Sequence, residues 1–143
     1  MGLFDFAADM GRNLFNKEED APKKIQEHIE EDNPGISDLL VAFKNGVVTL
    51  SGKADDSAAV EKAILMAGNI KGVSEIINKV LSKLPIGLNT EYYEIKSGDT
   101  LWAVAKNFYG DGNKYLKIVE ANKEVIKDAD KIFPGQKIRI PKI

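Results

Sequence analysis

Val41-Ala42-Phe43-Lys44-Asn45-Gly46-Val47-Val48-Thr49-Leu50-Ser51 holds two apolar, β-branched runs joined by two residues. Asn-Gly is the dipeptide best suited to a two-residue hairpin turn, because both central positions need a left-handed backbone. The stretch therefore predicts a strand over Leu39–Phe43, a tight turn at Asn45-Gly46, and a second strand over Val47–Ser51. On the C-terminal side, Asp55-Asp56 and Ser57 open a helix whose Val60, Ala63, Ile64 and Ala67 face a core. Gly68 is placed to end that helix in the left-handed region. Val73–Leu81 then predicts a third strand. On the N-terminal side, Pro22 suits the first turn of a helix carrying Ile25, His28 and Ile29 on one face, closed by Asn33-Pro34-Gly35. Together these make one α/β unit.

Beyond Leu81, Pro85-Ile86-Gly87-Leu88-Asn89-Thr90 is the natural joint. A second unit follows. Tyr92–Ile95 predicts a strand, and Leu101, Val104, Ala105 and Phe108 form a helical face. Ile118, Val119 and Asn122 begin a second helix, and Lys137–Ile140 is a closing strand before Pro141. At the other end, Leu3, Phe4, Ala7, Met10, Gly11 and Leu14 recur at spacings of three and four, which predicts an amphipathic helix over residues 1–16. Asn16–Asp20 reads as a charged linker. The expected domains are thus 1–20, 21–84, a linker at 85–90, and 91–143.

The chain has 143 residues, 43% hydrophobic and 29% charged, as globular proteins do. Its net charge of -2 gives it no electrostatic claim on nucleic acid or on an anionic membrane. Residues 1–90 carry 10 basic against 14 acidic side chains and residues 91–143 carry 10 against 8, so the two parts have opposite sign and suit mutual docking. With no cysteine and the single histidine His28, thiol chemistry, iron–sulfur clusters and zinc ribbons are excluded. His28 reads as a half-buried packing residue. No run of about 20 apolar residues is present. The start lacks the basic, uninterrupted apolar pattern of a secretory signal, with Asp5 and Asp9 breaking it, so a cytoplasmic protein is expected. No Walker glycine loop, dinucleotide fingerprint, Gly-x-Ser-x-Gly elbow or HExxH motif occurs, and the expectation is a non-enzyme.

Tyr93-Glu94-Ile95-Lys96-Ser97-Gly98-Asp99-Thr100-Leu101-Trp102 resembles the opening of a LysM domain, and Tyr109-Gly110, Asn122, Pro134-Gly135-Gln136 and Ile140-Pro141 resemble its later positions. Here Asp99 or Thr100 would cap the first helix. The hairpin stretch through Asp56, together with residues 63–80, resembles a BON domain. The whole is similar to a family of bacterial BON–LysM tandem proteins that bind potassium. The resemblance implies an α+β fold: a BON-type α/β sandwich, then a βααβ LysM unit, preceded by the N-terminal amphipathic helix. It also implies reversible potassium binding, with larger alkali ions tolerated and sodium poorly bound. The ligands carried over are the main-chain carbonyls of Ala7, Met10, Gly68, Ile70, Gly72 and Val73.

The residues themselves allow such a site. Potassium suits neutral carbonyl oxygens, and Gly68-Asn69-Ile70-Lys71-Gly72-Val73 is a glycine-bearing bend at the negative end of a helix. The plain alternative is that this bend is only a connector. The expected role is a monomeric cytoplasmic potassium sensor or buffer, with the ion drawing the BON and LysM units together. Two alternatives stand beside it. One is binding of peptidoglycan or another N-acetylglucosamine polymer by the LysM unit, with Trp102 and the tyrosines as stacking surfaces. The other is an adaptor for a membrane or for an unidentified protein partner, using the N-terminal stripe. Asp5 and Asp9 oppose anionic lipid, which favours docking of that stripe on the protein itself.

Overall fold

The computed structural model describes residues 4–6, 8, 11, 13–82, 90–126 and 132–142. α1 (Ala21–Glu30) carries Pro22 in its first turn and buries Ala21, Ile25 and Ile29. β1 (Ile36–Lys44) and β2 (Val47–Ala54) are antiparallel, with Lys44 opposite Val47 and Val41 opposite Leu50. Asn45 and Gly46 both have positive φ, at 49° and 83°, so the predicted two-residue turn forms. α2 (Ser57–Gly68) starts at Asp56, whose carboxylate accepts the Ala59 N–H at 2.7 Å. It returns the chain to β3 (Glu75–Leu81), which lies parallel to β2 with Ile76 opposite Val48. The sheet order is β1-β2-β3. α1 and α2 cover one face, enclosing Ile25, Ile29, Val48, Leu50, Val60, Ile64 and Ile76. His28 is half-buried on α1.

The second unit pairs β4 (Thr90–Glu94) with β5 (Lys137–Pro141), antiparallel, Tyr93 opposite Ile138. Between them lie α3 (Leu101–Tyr109) and α4 (Tyr115–Ala121). Thr100, not Asp99, caps α3, accepting the Ala103 N–H. Asp99 instead accepts the Lys96 N–H and the Tyr93 hydroxyl. Ile95, Leu101, Val104, Ile118, Ile138 and Ile140 form this unit's core. Asn122 closes α4 rather than lying within it.

Two expectations are corrected here. Among the described residues of 1–16 none is helical. Phe4–Phe6 instead run along the exposed edge of the first sheet. Asp5 bridges Glu75, Phe4 C=O accepts the Ile76 N–H, and Phe6 N–H donates to Ser74 C=O. An unpaired strand edge offers a row of backbone partners, and the buried Phe6 anchors the segment in the core. That tertiary pairing outweighs a helical pattern only a few turns long. Gly68, expected in the left-handed region, is the last residue of α2, and the cap falls on Asn69 at φ −83° and ψ 29°.

Candidate functional site

The candidate site grows out of the end of α2. The last turn of any helix leaves carbonyls without intrahelical partners. Here Asn69 N–H satisfies Leu65 C=O at 3.0 Å, and the chain then makes a four-residue turn closed by Val73 N–H to Ile70 C=O at 3.1 Å. Gly72 sits third in that turn at φ 98°, a value the turn type takes from glycine. Ile70 and Val73 are fully buried, so the bend is pinned to the core by its side chains and keeps its polar character in the main chain. Among the described residues no backbone N–H donates to the carbonyls of Gly68, Gly72 or Val73.

The N-terminal segment lies directly on this bend. Gly72 N–H donates to Ala8 C=O at 2.7 Å. Gly11, at φ 114°, approaches so closely that a Cβ there would sit 2.5 Å from the Asn69 carbonyl oxygen. Phe6 lies across Gly68, where an added Cβ would fall 2.1 Å from the ring, and Phe15 packs edge-on against Phe43 with centroids 5.2 Å apart. Of the six carried-over positions, Gly68, Ile70, Gly72 and Val73 share the bend. Ala7 and Met10 lie outside the described residues. Their neighbours Phe6, Ala8 and Gly11 all contact the bend or the strand that follows it.

The same bend touches the second unit. The Asn69 side chain donates to Lys137 C=O and accepts Lys137 N–H, both at 2.7 Å, and so satisfies the backbone on the side of β5 turned away from β4. Asn122 does the same one step along, accepting Arg139 N–H at 2.7 Å and donating to Arg139 C=O at 2.8 Å. The Lys137 ammonium reaches the Asp5 carbonyl and stands 4.5 Å from the centre of the Phe6 ring. Burial lowers its pKa, while the charges of Asp5 and Glu94 oppose that shift. Further along, Glu61 of α2 accepts the Tyr92 hydroxyl at 2.6 Å and pairs with Arg139 Nε at 3.4 Å. Burial, then the Glu61 hydrogen bond, raise the Tyr92 pKa well above the usual phenol range. Lys62 and Glu124 pair at 2.8 Å nearby. Tyr92 and Val125 pack against the core of the first unit, so the two units share an apolar contact as well as this polar network.

Sequence reasoning passed over Asn69, Lys137, Glu61 and Arg139. For three of them the signal is a charge where the pattern wants none: Glu61 between the core-facing Val60 and Ala63 of α2, and Lys137 and Arg139 alternating with buried isoleucines in β5; the uncharged Asn69 carries no such signal. Trp102 is about half exposed, with Lys106 Nζ 5.4 Å from its ring centre, and lies in the second unit away from this network. Among the described residues no group of three or more His, Asp or Glu side chains converges as a metal site, and no helix is long and apolar enough to cross a membrane.

Residues 17–82 match the BON domain model and residues 93–141 the LysM domain model. A protein of Escherichia coli O6:H1 named Potassium binding protein Kbp is 38% identical over 99% of this chain and 99% of its own length. The chain belongs to this BON–LysM tandem family. YqbP of Bacillus subtilis, an uncharacterized protein, is 40% identical over 44% of this chain and 33% of its own length. YkzQ of the same organism, also uncharacterized, is 31% identical over 52% of this chain and 96% of its own length. The BON unit thus holds β1–β3 with α1 and α2, and the LysM unit holds β4, α3, α4 and β5. Both are binding modules.

Proposed function

We propose that this chain binds potassium through the main-chain carbonyls of Ala7, Met10, Gly68, Ile70, Gly72 and Val73. The observation that carries the proposal is the docking of the N-terminal segment onto the bend, through Gly72 N–H to Ala8 C=O and the Gly11 approach to Asn69. It brings the two stretches that would supply carbonyls into contact. The match to Kbp along nearly the whole of both chains supports the same ion. Uncharged oxygens beside a helix C-terminus attract a monovalent cation without the carboxylates that a divalent ion prefers. They remove less hydration energy from potassium, rubidium or caesium than from sodium, which holds its water more tightly. The ion would hold the N-terminal segment, the BON unit and the LysM unit in one compact state, and the chain would serve as a cytoplasmic potassium sensor or buffer, acting as a monomer.

An ion that binds only the folded state stabilises it by RT ln(1 + [L]/Kd), about 2.7 kcal/mol at a hundredfold excess over Kd. For a chain of this length that is roughly a 5–10 °C rise in Tm. Thermal melts in KCl, RbCl and NaCl at matched ionic strength test it. The expected result is a rise in KCl and RbCl that NaCl does not reproduce; equal shifts in all three reject the proposal.

A further inference from the structure

Lys137 is about 2% exposed, yet it carries an ammonium group. A buried cation must be held by dedicated partners or it destabilises the fold. The ammonium meets the Asp5 carbonyl and the Phe6 ring of the N-terminal segment and the charges of Asp5 and of Glu94 on β4, while the Asn69 side chain of the bend holds the Lys137 backbone. Asn69 itself lies between Gly68 and Ile70, so its amide cannot keep both Lys137 hydrogen bonds if the peptides on either side of it rotate. The LysM unit thereby holds both stretches that would supply the ion's ligands, the N-terminal one through the Lys137 side chain and the bend through the Lys137 backbone.

We propose that Asn69 and Lys137 are the positioning residues that couple the carbonyl site to the LysM unit: the Asn69 amide on the Lys137 backbone and the Lys137 ammonium on the Asp5 carbonyl hold the bend and the N-terminal segment in the geometry the cation needs, a role the other contacts between the units do not share. This rests on the potassium-site reading given above. The ion fixes the peptides flanking Asn69, and fixed peptides hold its amide in register with Lys137. Conversely, a docked Lys137 holds the Asp5–Phe6 segment over the bend and lowers the cost of assembling the ligand set. Such coupling is reciprocal: the factor by which the Asn69 and Lys137 contacts strengthen cation binding equals the factor by which the cation strengthens those contacts.

The test uses the full chain and reads the difference between Tm in KCl and Tm in NaCl, together with potassium affinity by titration calorimetry. Variants are Asn69→Ala and Lys137→Met, the second keeping the apolar stem so that the fold survives if the first does not. Lys62→Ala is the control; it removes an ion pair of the same interface that touches neither the bend nor the N-terminal segment. A merely structural role lowers Tm equally in both salts and leaves the difference intact. Coupling shrinks the difference and weakens potassium binding by about tenfold, the equivalent of about 1.4 kcal/mol, while Lys62→Ala keeps the wild-type difference. If Asn69→Ala and Lys137→Met both keep the wild-type difference and affinity, the coupling is refuted and the site stands. If the wild-type chain itself does not distinguish KCl from NaCl, the site reading fails and the coupling falls with it.

Discussion

Gly68 shows how a single hydrogen atom sets the geometry of the bend. The residue is helical, so nothing in its backbone asks for glycine; what asks is the Phe6 ring, 2.1 Å from where a Cβ would stand. Gly68→Ala must push a core aromatic aside, at a cost of about 1–3 kcal/mol, read as a fall in the denaturation midpoint with an unchanged slope. Gly11→Ala meets a harder obstacle, because the atom 2.5 Å away is the Asn69 carbonyl, which is main chain, and because φ is 114°. We expect it to destabilise more than Gly68→Ala and also to reduce the Tm gain in KCl, since it forces the N-terminal segment off the bend. A Gly68→Ala chain as stable as the parent would show that Phe6 does not rest there. The glycine-bearing bend is legible in the sequence, as is the turn glycine at 72. The reason for Gly68 is not, because its partner lies 62 positions away and no local pattern encodes that contact.

The hairpin, α1, α2, α3 and β5 are all visible in periodicity and turn chemistry, because each writes its own burial into its own residues. The N-terminal segment is the exception. Its three-and-four spacing promises a helix, yet the described residues pair with the edge of β3. Both structures bury Phe4, Phe6 and Leu14 to some degree, and only the vacant edge beside Glu75 decides between them. α2 hides a second fact of this kind. Val60, Ala63, Ile64 and Ala67 face the sheet as expected, but Glu61, Leu65, Met66 and Gly68 are buried as well, because the other side of the helix meets the N-terminal segment and the LysM unit. Glu61 and Arg139 are an ion pair with side chains 3% and 9% exposed. Removing one partner strands the other in a low-dielectric interior, so Glu61→Ala should cost about 3–5 kcal/mol, whereas the double replacement Glu61→Leu with Arg139→Met should recover most of that loss. A denaturant-based double-mutant cycle measures it, and a double variant no more stable than Glu61→Ala would mean the pair is not the source of the loss.

Across the whole molecule the ionisable groups at and near the interface set a pH profile with two opposed limbs. Tyr93 is pushed up to about 12, first by its hydrogen bond to Asp99, and Tyr92 is raised by burial and by Glu61. A phenol whose folded pKa lies above its unfolded value of 10.0 stabilises the fold below that value and loses the contribution as pH climbs through the folded pKa. Lys137 has the opposite sign. Its folded pKa is below 10.5, so the unfolded chain holds the proton more tightly, and stability rises with pH across the window between the folded pKa and 10.5. Melts between pH 8 and 11.5 should therefore show Tm level or rising to about pH 10, then falling. Lys137→Met should abolish the rise while leaving the fall. Tyr93→Phe and Tyr92→Phe should each make the fall shallower, Tyr92→Phe the more so, because its hydroxyl is enclosed between the two units whereas that of Tyr93 is near solvent. Since Tyr92 reaches from the LysM unit to Glu61 of α2 and the Lys137 ammonium reaches the N-terminal segment paired with β3, the two limbs report on one interface. A profile unchanged by Lys137→Met and Tyr92→Phe together would mean that the units do not meet in solution as they do here.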